Sequence, residues 1–273
     1  MKLKKFSIVN PGTEPPEEKG WIPWNYGMWK LRKVAIPSRW ERESKPTKKE
    51  YMSSWDFEVQ LFLNLLINIK KKKNANLFEL GAGTGDWSLT LAGVYRRDLV
   101  PLKFKTYRIL AVEAEPSHYE WTREHFKKQG IRGDVVHGAV LDYNGTCKFA
   151  STGNPAASYG QRIDPRGNLE VPCYTFDKLV EDYKYKEIDI VQMDLQGFEG
   201  KVIKGIKKSK DIVDYWMIGT HGKSLNKEIK GILVNCEVIV DWDCLKKPKI
   251  EDTEVGKVNR SEDGILLLKR KGI

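Results

Sequence analysis

The chain has 273 residues, 40% of them hydrophobic and 31% charged, with a formal net charge of +10. This is ordinary globular composition, long enough for one large domain or one domain plus an extension with a substantial core. No apolar run approaches the length of a membrane span, and Met1-Lys-Leu-Lys-Lys5 is not followed by the apolar region that a secretion signal needs. Cys147, Cys173, Cys236 and Cys244 show neither Cys-x-x-Cys spacing nor a nearby histidine pair, so a zinc site is unsupported and reduced thiols in a cytoplasmic protein are expected. Lysines cluster at Lys70–Lys73, Lys207–Lys210 and Lys246–Lys249, and such a surface can attract nucleic acid, acidic glycans or anionic membrane. The clusters fall at element ends with no interleaved aromatics, which reads first as solvated helix ends and loops.

Residues 1 to about 54 differ from the rest. Pro11, Pro15, Pro16 and Pro23 forbid long helices, while Trp21, Trp24, Trp29 and Trp40 stand in a polar background. Such a segment cannot bury itself, so its aromatics must lie elsewhere. A brace on the main domain is the first expectation, and an aromatic wall beside a substrate mouth is the second. The division expected is an irregular extension over 1–54 and one domain over 55–273. That domain opens on a helix, because Trp55, Val59, Phe62, Leu63 and Leu66 trace a helical stripe.

Asn76-Leu-Phe-Glu-Leu-Gly-Ala-Gly-Thr-Gly85 follows: a short apolar run that breaks into glycines at Gly81, Gly83 and Gly85. Trp87, Leu91, Val94 and Tyr95 then form the apolar stripe of a helix. A strand that turns on glycines into a helix N-terminus lets backbone N–H groups approach a small ligand. The third glycine comes one residue too early for the dinucleotide fingerprint, and Glu79 precedes the first by two. That suits S-adenosylmethionine, whose amino group and sulfonium are cationic. Glu79 is expected to meet the amino group, and Glu113, ending the next strand Tyr107–Glu113, to take the ribose hydroxyls.

Pro116 and Ser117 open a helix to about Gln129, with Ser117 as its cap. Gly133–Val140 reads as a third strand and Thr146–Ala150 as a short one after the turn Asp142–Gly145. Ser151–Glu170 carries no periodicity and reads as a lid or binding loop, in which Asn154, Ser158, Tyr159, Gln161 and Arg162 can hydrogen-bond a polyhydroxylated acceptor. Val171–Tyr174 leads to a helix over 176–182. Ile188–Asp194 is a fourth strand, followed by a turn and helix over 197–205, and Val213–Thr220 is a fifth that ends at His221. A helix over 224–234, a strand over 237–242, a charged turn and a final strand over 264–270 complete an α/β pattern. The alternation predicts a doubly wound, mostly parallel sheet with ligands beyond the strand carboxyl ends. Glu79, Glu113, Asp194 and His221 all fall at such ends.

These residues carry a resemblance. Glu79–Gly85, Val112-Glu-Ala-Glu-Pro116, Thr175-Phe-Asp-Lys-Leu179 and above all Ile188-Asp-Ile-Val-Gln-Met-Asp-Leu-Gln-Gly-Phe-Glu199 with Val202-Ile-Lys-Gly205 make the chain similar to the FkbM-type S-adenosylmethionine-dependent methyltransferases over about 76–270. The resemblance implies a class I methyltransferase, Rossmann-like sheet of seven strands and O-methylation of sugars or similar small polyhydroxylated molecules. The cofactor-binding set is then Glu79, Gly81, Ala82, Gly83, Gly85, Glu113, Ala114, Ala139 and Asp194, and the acceptor contacts are Tyr159, Arg162 and Glu199. An alcohol needs a base or a metal to become a nucleophile. Either His221 takes the proton while Asp194 orients it, or Asp194 helps hold a divalent ion. A metal is not predicted, since one Asp and one His are too few hard ligands. Two other readings stay open: an RNA methyltransferase using the basic surface, and a non-catalytic binding module, against which the strand-end acids argue. The acceptor, the oligomeric state and the role of 1–54 are not written in any pattern.

Overall fold

The computed structural model describes residues 1–6, 21–24, 26, 28–31, 51–70, 72–152, 154, 160–222, 224–260 and 263–273. In chain order these form β1 (Trp21–Trp24), β2 (Met28–Leu31), β3 (Met52–Ser53), α1 (Ser54–Asn68), β4 (Lys72–Leu80), α2 (Asp86–Arg97), β5 (Phe104–Glu113) and α3 (Pro116–Gln129). Next come β6 (Gly133–His137), β7 (Ala139–Leu141), β8 (Gly145–Ala150), β9 (Arg162–Ile163), β10 (Leu169–Thr175), α4 (Phe176–Asp182), β11 (Ile188–Met193) and α5 (Glu199–Gly205). The chain ends with β12 (Val213–Thr220), α6 (Leu225–Ile232), β13 (Cys236–Trp242), β14 (Lys249–Thr253), β15 (Gly256–Arg260) and β16 (Gly264–Arg270).

The central sheet has seven strands in the order β13-β16-β12-β11-β4-β5-β6. β16 runs antiparallel between β12 and β13, and the pairs β12–β11, β11–β4, β4–β5 and β5–β6 are parallel. Both faces of the sheet are covered, which is why its strands read as nearly continuous apolar runs. Leu77, Ile109 and Ile190 face a core built with α1, α2 and the β1–β2 hairpin, while Phe78, Leu110 and Val191 face α4, α5 and α6. α1 starts on a capping box: Ser53 Oγ accepts from the Asp56 N–H at 3.1 Å, and the Asp56 carboxylate accepts from the Ser53 N–H at 3.1 Å.

A second sheet, β7-β10-β8-β9, leans against the β5–β6 side of the first. The expected third strand therefore splits at Gly138, where β6 leaves the central sheet and β7 joins the second. The charged turn after β13 is a hairpin, β14–β15, whose β15 pairs with β3. Ser117 does not cap α3; Glu115 does, accepting from the His118 N–H at 2.8 Å.

The described part of the N-terminal segment braces the domain. Trp29 N–H donates to Gln129 Oε1 at 2.7 Å and Trp29 O accepts from Gln129 Nε2 at 2.8 Å. Lys30 Nζ, buried, pairs with Asp86 at 2.7 Å in the first turn of α2. The imidazole of His125 bridges the hairpin to the glycine turn, with Nε2 accepting from Leu31 N–H at 3.0 Å and Nδ1–H donating to Thr84 O at 2.8 Å. Trp24 and Trp40 lie outside the side chains described.

Tyr26 and Met28 rest directly on Gly93 of α2: a Cβ there would stand 2.7 Å from Tyr26 Cβ and 2.8 Å from Met28 Cγ. Helix propensity alone favours Gly93→Ala by about 1 kcal/mol, whereas overpacking costs about 1–3 kcal/mol. The clash is expected to win, so the variant should melt several degrees below the wild type. A higher melting temperature would show that the hairpin does not seat there.

Candidate active site

The site is assembled at the carboxyl end of β4. Gly81 and Ala82 both donate their N–H to Val112 O, at 2.9 and 3.0 Å, and Asp194 N–H donates to Leu80 O at 2.9 Å, so the turn is stitched to the ends of β5 and β11. Gly81 has φ +76°, and a Cβ on it would lie 1.9 Å from the Asp194 carbonyl oxygen. The backbone is thus drawn in as closely as only glycine permits. Gly83 N–H donates to Glu113 Oε2 at 2.6 Å, and the other carboxylate oxygen accepts from Glu115 N–H at 2.7 Å. Burial holds the Glu113 carboxyl above its ordinary range, opposed by His118 and these N–H groups.

A cleft opens here, with about 110 Å³ of space that water-sized groups can occupy. Gly81, Gly83, Glu113, Ala114, Ala139, Arg162 and Asp194, all expected from sequence, line it. His118, Phe149, Gln161, Ile163 and Gln196 line it too. Sequence alone leaves His118 without a role because a histidine in the first turn of a helix carries no spacing signal, and it offers Gln161 only as an acceptor contact. Tyr159 and Ser158 lie outside the described residues.

Four expected contacts are displaced. Glu79 is fully buried behind the turn rather than in the cleft, accepting from the N–H groups of Trp87 and Ser88 at 3.0 Å each and from the Ser88 hydroxyl. It satisfies the open N-terminus of α2, and burial pushes its carboxyl up to about 8 against the Ser88 hydrogen bond. Ala82 is turned inward and Gly85 is the N-cap of α2, packed against Thr122. Glu199 is fully buried: Oε1 accepts from Leu195 N–H at 3.0 Å and Gly197 N–H at 3.3 Å, closing the β11–α5 turn, and Oε2 has no partner. It cannot touch an acceptor from there.

The same Glu199 Oε1 lies 3.0 Å from His221 Nδ1, and His221 Nε2 faces Asp194 Oδ1 at 3.5 Å. Gln196 Nε2 donates to Asp194 Oδ1 at 2.9 Å and stands 3.2 Å from His221 Nε2. Asp194 is not a helix cap, since α5 begins at Glu199 after Phe198; its side chain is 42% exposed to the cleft. Burial raises the Asp194 carboxyl above the ordinary range while the charge of His221 pulls it down. For His221, burial would lower the value, but the Glu199 hydrogen bond and the charges of Asp194 and Glu199 outweigh it and push it up to about 9. These partners favour the protonated imidazole, and His221 lies outside the cleft wall that the Asp194 side chain helps to form. One ligand atom each from Asp194, Glu199 and His221 lie within 4.8 Å of one another, the span of a three-point cation site; Glu199 Oε1 is hydrogen-bonded to His221 and to the Leu195 N–H, while Glu199 Oε2 has no partner.

This pairing has a pH signature. The folded value of His221 lies above its ordinary 6.5, so its stabilising contribution is complete below about pH 6.5 and is lost as the pH rises through about 9. Between pH 6.5 and 10 the wild type should lose stability of order 2 kcal/mol more than His221→Gln. Parallel stability curves would contradict the assignment.

The strand order, with one antiparallel strand inserted next to the edge strand and a glycine turn after the central β4, is the Rossmann-like α/β fold of class I methyltransferases. The model of the methyltransferase FkbM domain matches residues 79–239, more than half of the chain, and the chain belongs to that family. A hexuronic acid methyltransferase of Haloferax volcanii, AglP, is 23% identical over 159 residues, spanning 58% of this chain and 60% of that protein. The precorrin-6y C5,15-methyltransferase of Geobacter metallireducens is similar in structure, with TM-score 0.45, 13% identity and coverage of 84% of this chain and 94% of that one. The M. capricolum protein TrmK, solved with S-adenosylhomocysteine, has TM-score 0.40 and 12% identity over 79% of this chain and 68% of its own.

Proposed function

We propose that the protein transfers a methyl group from S-adenosylmethionine to a hydroxyl oxygen of a sugar, with an acidic sugar as the favoured acceptor. The observation that carries this is one cleft bounded by the Gly81–Gly83 turn and Glu113 on one side and by Asp194 on the other. The residues fit the donor: the backbone of Gly81 and Gly83 lines the cleft, Glu113 presents a carboxylate for hydroxyls, and Gln161 keeps a buried N–H without a partner. When bound, the donor supplies a methyl group activated by a sulfonium.

Glu113 fixes Gly83 through Oε2 and keeps a free lone pair on each oxygen for ribose hydroxyls. Asp194 takes the proton of the acceptor hydroxyl at its cleft-facing carboxylate. His221, held by Glu199, supports the Asp194 charge from behind. The exposed guanidinium of Arg162 at the cleft mouth suits a carboxylate, bidentate where geometry allows. The relative that methylates hexuronic acid is consistent with such an acceptor. Two of the three lysine clusters run into the amino ends of β4 and β12, away from the strand carboxyl ends that carry the cleft, which disfavours an RNA track leading to the site. No helix among the described residues is long and apolar enough to cross a membrane.

The test is calorimetry with S-adenosylhomocysteine, then a labelled-methyl screen of hexuronic acids, neutral sugars and RNA with and without chelator. Labelling of the acidic sugars is expected, unaffected by chelator; labelling of RNA alone would overturn the acceptor class. Glu113→Ala should weaken S-adenosylhomocysteine at least about thirtyfold, since it removes charged acceptors and unpins Gly83.

A further inference from the structure

Gln161 stands one residue before β9, its side chain almost wholly buried and in the wall of the cleft. Its Nε2 has no hydrogen-bond partner. Buried amide donors are nearly always paired, so an orphan facing a cleft marks a place where a ligand acceptor belongs.

The fold fixes which end of the cleft this is. β9 pairs with β8 at Phe149↔Ile163 and Ala150↔Arg162. Ser151, next after β8, donates from its hydroxyl to Glu115 Oε1 at 3.1 Å, and Glu115 follows Glu113 by two residues at the β5–α3 turn. Gln161 therefore belongs with Glu113, Ala114, Ala139 and Phe149 on the β5–β7 side. Asp194 and Gln196 follow β11, on the other side of β4. An apolar wall of Phe149, Val140 and Ile163 with one unpaired N–H is the chemistry of a flat heteroaromatic ring bearing acceptor nitrogens, and not that of a polyhydroxylated sugar.

The geometry points to Gln161 as the residue that reads the nucleobase of the methyl donor: its Nε2–H donates to a ring nitrogen of adenine while Phe149 and Ile163 line the pocket. This rests on the donor being S-adenosylmethionine. It moves Gln161 from the acceptor, where the unpatterned loop around it would place it, to the cofactor.

The test is calorimetry on the full chain without acceptor, using S-adenosylhomocysteine and its 1-deaza, 3-deaza and 7-deaza analogues against wild type and Gln161→Leu. In the wild type one deaza analogue should bind about three- to tenfold more weakly than the parent, the scale of one hydrogen bond. Gln161→Leu should bind the parent that much more weakly and lose the difference between it and that analogue. Because the donor has no partner inside the protein, Gln161→Leu should melt no lower than the wild type. Gln161→Met, also lacking the donor, should give the same binding pattern. Full parent affinity in both variants, or a deaza penalty that persists in them, overturns the assignment while the donor reading stands. A wild type that binds neither the parent nor any analogue overturns both.

Discussion

Asp194→Asn is expected to lower turnover by about a hundred- to ten-thousandfold, the range of general acid–base catalysis, while S-adenosylhomocysteine should bind within about threefold of wild type. The substitution keeps the shape and the backbone N–H that closes on Leu80 O, and removes the proton acceptor together with the charge that faces His221. His221 is poorly placed to take over. Its Nδ1 stays on Glu199 and its ring lies outside the cleft wall. His221→Gln should accordingly slow the reaction less than Asp194→Asn does. A His221 variant that loses all turnover beside an active Asp194→Asn would restore the histidine as base and reverse the two roles.

Gly81→Ala is expected to abolish measurable binding of S-adenosylhomocysteine and to lower the melting temperature by about 10 °C. The added Cβ meets the Asp194 carbonyl oxygen at 1.9 Å and Asp194 C at 3.0 Å, both backbone atoms that no side-chain rotation can move. An L residue at φ +76° adds about 1–2 kcal/mol, and relieving the clash parts the β4 turn from β11, for a total of about 3–5 kcal/mol. The same movement pulls Gly83 from Glu113 and Asp194 from its place across the cleft. Calorimetry and a thermal melt check both halves, and retained binding in a stable variant would show that the turn is not the cradle.

Much of the cleft is legible locally. The apolar run, the spaced glycines and the acid ending the following strand put β4, its turn and Glu113 in place, because each is a local consequence of strand length, backbone freedom and strand parity. Direction is not legible in the same way. Glu79 and Glu113 both stand at strand ends, yet Glu79 turns onto the N-terminus of α2 while Glu113 holds Gly83, a difference set by which helix terminus lies nearest. His221 reads as a free base in isolation. What favours its protonated form is Glu199, 22 positions earlier, and Asp194, neighbours that only the strand order β4-β11-β12 brings together. The β14–β15 hairpin escapes a sequence reading because half of its residues are charged, so turn composition outweighs a faint alternation. The loop over 151–170 reads as structureless since β9 is two residues long and gains its order from pairing with β8.

A crystal of the protein grown with S-adenosylhomocysteine tests the central claim most directly. The expected complex has the ribose against Glu113, the base between Phe149 and Gln161, and the sulfur between the Gly81–Gly83 turn and Asp194. A nucleoside bound anywhere else, or this cleft filled by side chains in the complex, would contradict it.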